Sequence, residues 1–570
     1  MKSLFSTLLI WLVCPVSLAS ADTVLRAGAT TVDISPRTFP AIRNGGFLQA
    51  TETRVADPLH ARCLVLSDGN ETIAITIVDS CMFPTDICDA IKSRVAKQIG
   101  LPANRILISA THTHSAPSVM AYCLGTSRDE AYVQYVVPRV AEAIVSAHGK
   151  LQPAKIGWTA VDVAEQTNCR RWITRSDRKG TDPFGQQTVR AMMHPGYLNP
   201  DYVHPAGPID PQLSLLSVVA AADDTPLCLL ANYSMHYFGQ GSGFSADYFG
   251  EVAGLLESGI AATAEQTPSE FVGIMSQGTS GDLHWMDYGK PQRRVDRAQY
   301  AKTIAETALT AWKQIQHRSD LTIAMAESRM KLRRRVPDAQ RLAWAKPINE
   351  QRGDAPPKNR TEVYAQQAEW IYEHQETEVV LQALRIGDLG ITALPNEVYG
   401  ITGLKLKQQS PLVSTFNMEL ANGAEGYIPP PEQHRLGGYT TWPARTAGLE
   451  VEAEPKIVER VLTLLESVSG KQRRTLVDPP NAFSQAVMKA EPTAYWRLGD
   501  MVADQAADAT GKHPAQFDGG VALYLQGPDL QENSNTAAQE STNRCVYFAG
   551  GSLQANVSNL PAHYSLSMWF

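Results

Sequence analysis

Histidine, carboxylate and tyrosine residues recur in this chain just after short apolar runs. The run RILIS leads into Ala110-Thr111-His112-Thr113-His114, PLCLLANYSM ends on His236, and FVGIM at 271–275 opens into Gln277-Gly278-Thr279-Ser280-Gly281-Asp282-Leu283-His284. LGITAL at 389–394 is followed by Pro395-Asn396-Glu397, and LVSTFN at 412–417 by a glycine-rich loop carrying Tyr427. Imidazole, carboxylate and phenol groups together form a metal-site vocabulary, and the carboxyl ends of strands are where open α/β sheets place their ligands. A His-x-His pair at such an end can set two imidazoles on one side of the extended chain, because strand side chains repeat every second residue. Taken alone the pair leaves three readings open: a metal site, the opening of an amidohydrolase barrel, or two polar histidines closing a strand.

The spacing also predicts the elements that position these residues. ARCLVL, the turn residues Ser67-Asp68-Gly69-Asn70 and TIAITIVD predict a hairpin over 62–79. Thr85 is placed to cap a helix whose Ile87, Ile91, Val95 and Ile99 share a face and which Gly100 and Pro102 end. With RILIS next, this makes a strand-helix-strand unit whose outlet carries His112 and His114. The expected class is α/β: a mixed-sheet, multilayer catalytic domain with metal ligands at strand ends, plus a partial all-β domain at the carboxyl end. Between them, basic and Pro-Asn residues replace the helix VERVLTLLESV and predict a linker over 471–487. VYFAG and YSLSMWF, within 488–570, read as short strands.

A chain of 570 residues with 44% hydrophobic and 19% charged content should build more than one packed core. Its net charge of −7 and lack of long like-charge blocks argue against a nucleic-acid partner. The short basic stretch Arg333-Arg334-Arg335 reads as a solvated strand face. Lys2, the apolar stretch Leu4 to Leu18 and Ala19-Ser20-Ala21 form the pattern of an export signal over 1–21, with the mature chain starting near Asp22. That stretch is shorter than the roughly 20 residues a spanning helix needs. A secreted or periplasmic location is expected, with no transmembrane segment after signal cleavage. Of eight cysteines, Cys14 leaves with the signal and the other seven lack the spacings of a disulfide scaffold or zinc ribbon. Cys63 and Cys228 read as buried hydrophobes.

Ser109-Ala110-Thr111-His112-Thr113-His114-Ser115-Ala116-Pro117 is similar to the TATHTHSGPG segment of the neutral ceramidases. Ala27-Gly28 with Val32-Asp33-Ile34-Ser35-Pro36 resembles the AGxxxxDITP opening of the same family. The resemblance implies that 22–470 form a zinc hydrolase domain holding one Zn2+ through His112, His236, Glu397 and Tyr427. Tyr439 follows Tyr427 at the interval of the family's second active-site tyrosine. Zinc-bound hydroxide would then attack an acyl carbon, with His114 as proton carrier and Arg170 steadying the oxyanion, Arg171 being the alternative.

The family's catalytic serine lies in a GDVSP-like segment that aligns with Gly281-Asp282-Leu283-His284-Trp285, so His284 stands at the serine position. A histidine can be a general acid or base or a further ligand, but not that hydroxyl. Ser280 could replace it only in a displaced loop. Asp282 and His284 carry over as catalytic candidates. The implied reaction is hydrolysis of an acyl amide in N-acylsphingosine, another N-acyl lipid or an acylated sugar. The alternatives are a zinc esterase on acylated glycoconjugates and a non-catalytic surface protein. Residues 488–570 resemble the start of a laminin-G-like, concanavalin-type jelly roll, which implies a possible glycan partner.

Overall fold

His60–Ser67 and Thr72–Val78 are buried at nearly every position, as strands covered on both faces must be. They belong to an eight-stranded sheet in the computed structural model, which describes residues 24–121, 123–239, 241–262, 270–476, 480–527, 543–558 and 560–569. The expected signal at 1–21 lies outside the described residues. Across this sheet the order is Val272–Gln277, Pro226–Tyr233, Gln212–Ala220, Gln152–Asp162, Arg26–Asp33, His60–Ser67, Thr72–Val78, Ile106–Ala110. Only the two outermost pairs are parallel. A second sheet runs Ile323–Arg333, Glu376–Ile386, Leu389–Ala393, Ser414–Met418, and its last pair is again parallel.

Parallel neighbours need crossover connections, and three helices lie in them: Thr85–Ile99, Asp247–Ala261 and Gly400–Gln409. The first buries Ile87, Ile91 and Val95 and stops at Gly100, whose φ of 73° suits the residue without a Cβ. Thr85 is not its cap: Pro84 precedes the helix, and the Thr85 hydroxyl instead donates to the Asn422 carbonyl at 3.1 Å. That bond ties the helix to the outlet of the second sheet.

The sheets pack face to face. Leu64, Ile75, Leu107, Leu216 and Ile274 meet Leu384, Ile391 and Phe416 in one apolar layer. Ile91 and Val95 with Val140 and Ile144 cover the first sheet at one end, and Val252, Leu256, Ile304 and Ala308 at the other. Ile457, Val461 and Leu465 of the helix Ala453–Ser469 cover the second sheet. The result is a helix-sheet-sheet-helix sandwich, the expected mixed α/β class. Among the described residues no helix is long and apolar enough to cross a membrane. Cys63 and Cys228 are buried, and all seven described cysteines are free thiols.

Two expectations are corrected. Of the basic triplet only Arg333 lies on a solvated face; Arg334 and Arg335 form a latch. Arg334 is buried, pairs with Glu425 at 2.9 Å and donates to the His374 and Glu376 carbonyls. Arg335 donates to the carbonyls of Leu449, Thr441 and Ala447, and burial pushes its pKa down to about 10. A strand's sequence cannot show that a distant loop will fold over it. At the carboxyl end, YSLSMWF forms no strand among its described residues, and Tyr564, Leu566, Met568 and Trp569 are exposed. The strands found in 488–570 are Ala515–Asp518 paired with Ser552–Ala555, and Val521–Gln526 with Arg544–Phe548. A helix, Ala482–Lys489, lies across the expected end of the linker.

Beneath the helix Gly400–Gln409, Glu454 accepts from Thr402 at 2.7 Å and from Lys405 at 3.0 Å. Glu432 lies nearby, 3% exposed, with Oε1 unpartnered. Burial raises its pKa to about 7, against the pull of Lys405. A carboxyl raised in the fold stabilises most below its ordinary range, and that stability is lost as pH rises through the folded value. Unfolding titrations between pH 4.5 and 7.5 should therefore show stability falling by up to about 3 kcal/mol from this group, a fall that Glu432→Gln flattens. An unchanged slope in the variant would remove Glu432 as its source.

Candidate metal centre

The three parallel strand pairs discharge their chains at one place. Beyond Ile106–Ala110 the Thr111 and His112 amides donate to the carbonyls of Val78 and Ser80, and His112 sits at φ 70°. That is a left-handed conformation rare for a residue with a side chain, and such strain persists only where the surroundings enforce it. His236 follows the strand Pro226–Tyr233. Glu397 and Tyr427 lie side by side in a two-residue parallel ladder, Glu397–Val398 against Tyr427–Ile428. Two glycines let the backbones approach there. A Cβ on Gly281 would come within 2.7 Å of the Glu397 carbonyl oxygen, and one on Gly426, at φ 74°, within 2.3 Å of that of Thr446.

His112 Nε2 lies 3.0 Å from His236 Nε2, and Glu397 Oε2 is 3.4 Å from the first and 3.6 Å from the second. Two ligands of a tetrahedral zinc, each at 2.0–2.1 Å from the ion, stand roughly 3.3 Å apart, so the three atoms fit the corners of such a site. The opposite edges of both rings face backbone oxygens: His112 Nδ1 lies 2.7 Å from the Cys81 carbonyl and His236 Nδ1 3.2 Å from that of Ser280. A proton on each Nδ1 leaves Nε2 bare, the arrangement that metal-ligating histidines show. Glu397 Oε2 is buried and has no hydrogen-bond partner. An orphaned carboxylate oxygen facing two imidazole lone pairs fits a cation. The grouping Cys81, His112, His114 is also close enough to hold an ion, and the two groupings share His112.

Tyr427 borders the same cluster. Burial first, then the Glu397 carboxylate, raises its phenol well above the usual value. Arg170 reaches across the cluster. Its Nη2 lies 2.9 Å from His236 Nε2 and donates to the Gly281 carbonyl at 2.9 Å and the Tyr427 oxygen at 3.2 Å. Burial opposes its charge, but Tyr427, Tyr237 and Glu397 outweigh it and raise the pKa. His114 Nε2 is 3.0 Å from His112 Nε2, and its ring stacks on Tyr237 with centroids 3.6 Å apart. Burial, then the neighbouring His112 and Arg170, hold His114 neutral, and burial and Arg170 do the same for His236 and His284.

His284 stands just outside this cluster, its ring 6.5 Å from that of His236 and its buried Nδ1 without a partner. The Tyr439 ring stands edge-on to Tyr427 at 5.8 Å. Asp282 is not brought in: its carboxylate accepts from the Gly400 amide at 2.8 Å, at the head of a helix, while its carbonyl accepts from the Arg170 amide. Arg171 is directed elsewhere, to Gln433 and the Ala191 carbonyl. Ser280 faces the far side of His236, its oxygen 3.3 Å from Nδ1. The sequence reading missed His194, whose Nε2 is 3.5 Å from Arg170 Nη1 and whose Nδ1 is 2.5 Å from the Tyr288 oxygen. It also missed Tyr237 and Glu419. The last directly follows the strand Ser414–Met418, so the strand-end rule would have found it.

Residues 47–286 match the family model described as neutral/alkaline non-lysosomal ceramidase, N-terminal. No curated protein sequence matches the chain significantly. Among solved structures, a neutral ceramidase from Pseudomonas aeruginosa is similar with a TM-score of 0.59 at 15% identity, over 87% of this chain and 84% of that one. A second, described as ceramidase complexed with C2, is similar with a TM-score of 0.58 at 15% identity, over 81% and 78%. The resemblance read from the sequence is thus shown in the amino-terminal half by sequence and across most of the chain by fold.

Proposed function

From the premise that the chain has the neutral ceramidase fold over more than four-fifths of its length and that family's sequence over 47–286, we propose that it is an exported zinc-dependent hydrolase of the amide bond in N-acylsphingosine or a related N-acyl lipid. The observation that carries the reading is the convergence of the His112 and His236 Nε2 atoms and the unpartnered Glu397 Oε2 within 3.6 Å of one another. Zinc held by His112, His236, Glu397 and Tyr427 would supply Lewis-acid polarisation of the acyl carbonyl and lower the pKa of water.

The remaining work falls to the chain's own groups. Hydrolysis adds water across the amide: the C–N bond breaks, the acyl carbon gains oxygen, and the nitrogen leaves with a proton. Neutral His114, beside the cluster, can accept the water proton at its imidazole and return it to the departing amine. The guanidinium of Arg170, fixed by Gly281 and Tyr427, presents positive charge where the carbonyl oxygen becomes negative. Tyr439 supports the Tyr427 ring. His284 takes the place of a hydroxyl and offers a buried ring nitrogen without a partner, which suits contact with a polar group of the substrate.

The test is release of fatty acid from a fluorescent N-acylsphingosine by the purified full chain, with zinc quantified in the same sample. Turnover that a chelator removes and zinc restores is the expected result. One metal per chain with no cleavage of this or any other N-acyl lipid would sink the proposal.

A further inference from the structure

Behind His236 lies a hydrogen-bond network that the proposed chemistry does not use. Glu419 is fully buried, and four donors converge on its carboxylate. Oε2 accepts from the backbone amides of Val398 at 2.7 Å and Ser280 at 3.2 Å. Oε1 accepts from the Ser280 hydroxyl at 2.7 Å and from Gln277 Nε2 at 2.8 Å. The Ser280 oxygen in turn accepts from Gln277 Nε2 at 2.6 Å and lies 3.3 Å from His236 Nδ1.

A hydroxyl has one proton to give and two lone pairs to receive. The Ser280 proton goes to Glu419 and one lone pair is filled by Gln277, so only an accepting lone pair is left to face His236. Nδ1 must then carry the proton, and Nε2 is bare on the side of His112 and Glu397. The same carboxylate holds the Val398 amide, next in the chain to Glu397.

Resting on the zinc reading above, we infer that Glu419 is a positioning residue of the metal centre: by taking the Ser280 hydroxyl proton it keeps that hydroxyl from donating to His236 Nδ1, and so protects the metal-binding tautomer that the Ser280 carbonyl also favours. Without Glu419 as acceptor, the Ser280 hydroxyl is free to donate to Nδ1. His236 then carries its proton on Nε2, where it blocks ligation. The arrangement also accounts for Ser280 itself, whose proton and lone pairs are all committed, so it is no substitute for the serine that His284 replaces.

Glu419→Gln tests this with little change of shape. Two backbone amides hold the Oε2 position, so the glutamine oxygen belongs there and its NH2 turns toward Ser280, driving the hydroxyl proton toward His236. Zinc affinity is measured on the full chain by competition with a chromophoric chelator. Burial raises the Glu419 pKa to about 8, so the titrations are run at pH 8.5, where most of the group is ionised. Glu419→Gln should weaken zinc binding about tenfold or more, the usual cost of losing an outer partner of a ligand.

Ser280→Ala should bind nearly as the parent does, because the Ser280 carbonyl still accepts from Nδ1. In that background the second change, Glu419→Gln, should cost less than about twofold. Equal losses in both backgrounds, or no loss in the single variant, would overturn the inference. If Glu419→Gln melts too low to titrate, Glu419→Asp, which withdraws the acceptor from Ser280, should show the same loss and the same dependence on Ser280. A parent chain that retains no zinc would instead overturn the functional proposal on which this one stands.

Discussion

His112→Ala should strip the chain of metal and of amidase activity together, with zinc falling from one per chain to a trace in elemental analysis and turnover dropping more than about a hundredfold. Outer-shell partners alone are worth 10–100-fold in metal affinity or activity, and His112 is the central member of the cluster. Its Nε2 lies within 3.4 Å of His236, His114 and Glu397 alike. Removing it also leaves the buried Glu397 oxygen facing a void, so the variant should melt lower in the presence of zinc, where the parent gains stability by binding. A variant that keeps full zinc and full turnover would mean that the reacting centre lies elsewhere.

Arg170→Ala should separate what His112→Ala joins. Arg170 touches His236 and Tyr427 but has no lone pair to offer a cation, so one zinc per chain should remain. Loss of a fixed donor to a developing oxyanion costs about 10²–10³ in kcat, and that is the expected fall. Arg170→Lys should recover little, because a single ammonium cannot span the Gly281 carbonyl, the Tyr427 oxygen and the neighbourhood of His194 that the planar fork reaches. Paired measurement of kcat and metal content settles the matter: metal loss in step with kcat would make Arg170 part of the ligand scaffold and not an oxyanion group.

Much of this centre is legible in the amino-acid sequence. The signal is positional: apolar runs long enough to be strands, each ending on an imidazole, carboxylate or phenol, and the four residues read as ligands do converge. The groups that the sequence hides act in ways it does not display. Cys81 contributes a backbone oxygen, which every residue has, and His194 reaches Arg170 from the end of a three-residue strand, Ala191–Met193, too short to stand out as an apolar run. Asp282 looks catalytic by its company, yet a helix amide captures its carboxylate, and that helix only comes close once both sheets are in place. The Arg333-Arg334-Arg335 stretch misleads for a similar reason. Alternation along the strand Ile323–Arg333 says which faces exist, while the carbonyls that take up Arg334 and Arg335 arrive from residues 374–449.

His112 and His236 stand at the outlets of one sheet, Glu397 and Tyr427 at those of the other, and the segment matched by the family model ends at residue 286, before the second pair. Neither half of the chain can therefore assemble the cluster during synthesis. A ribosome that has released only the first sheet exposes two histidines with no carboxylate to complete them, and such a nascent chain should hold metal weakly and exchange it freely. Tight capture becomes a timestamp for the moment the two sheets dock, and the rate of zinc uptake during refolding would measure that docking directly.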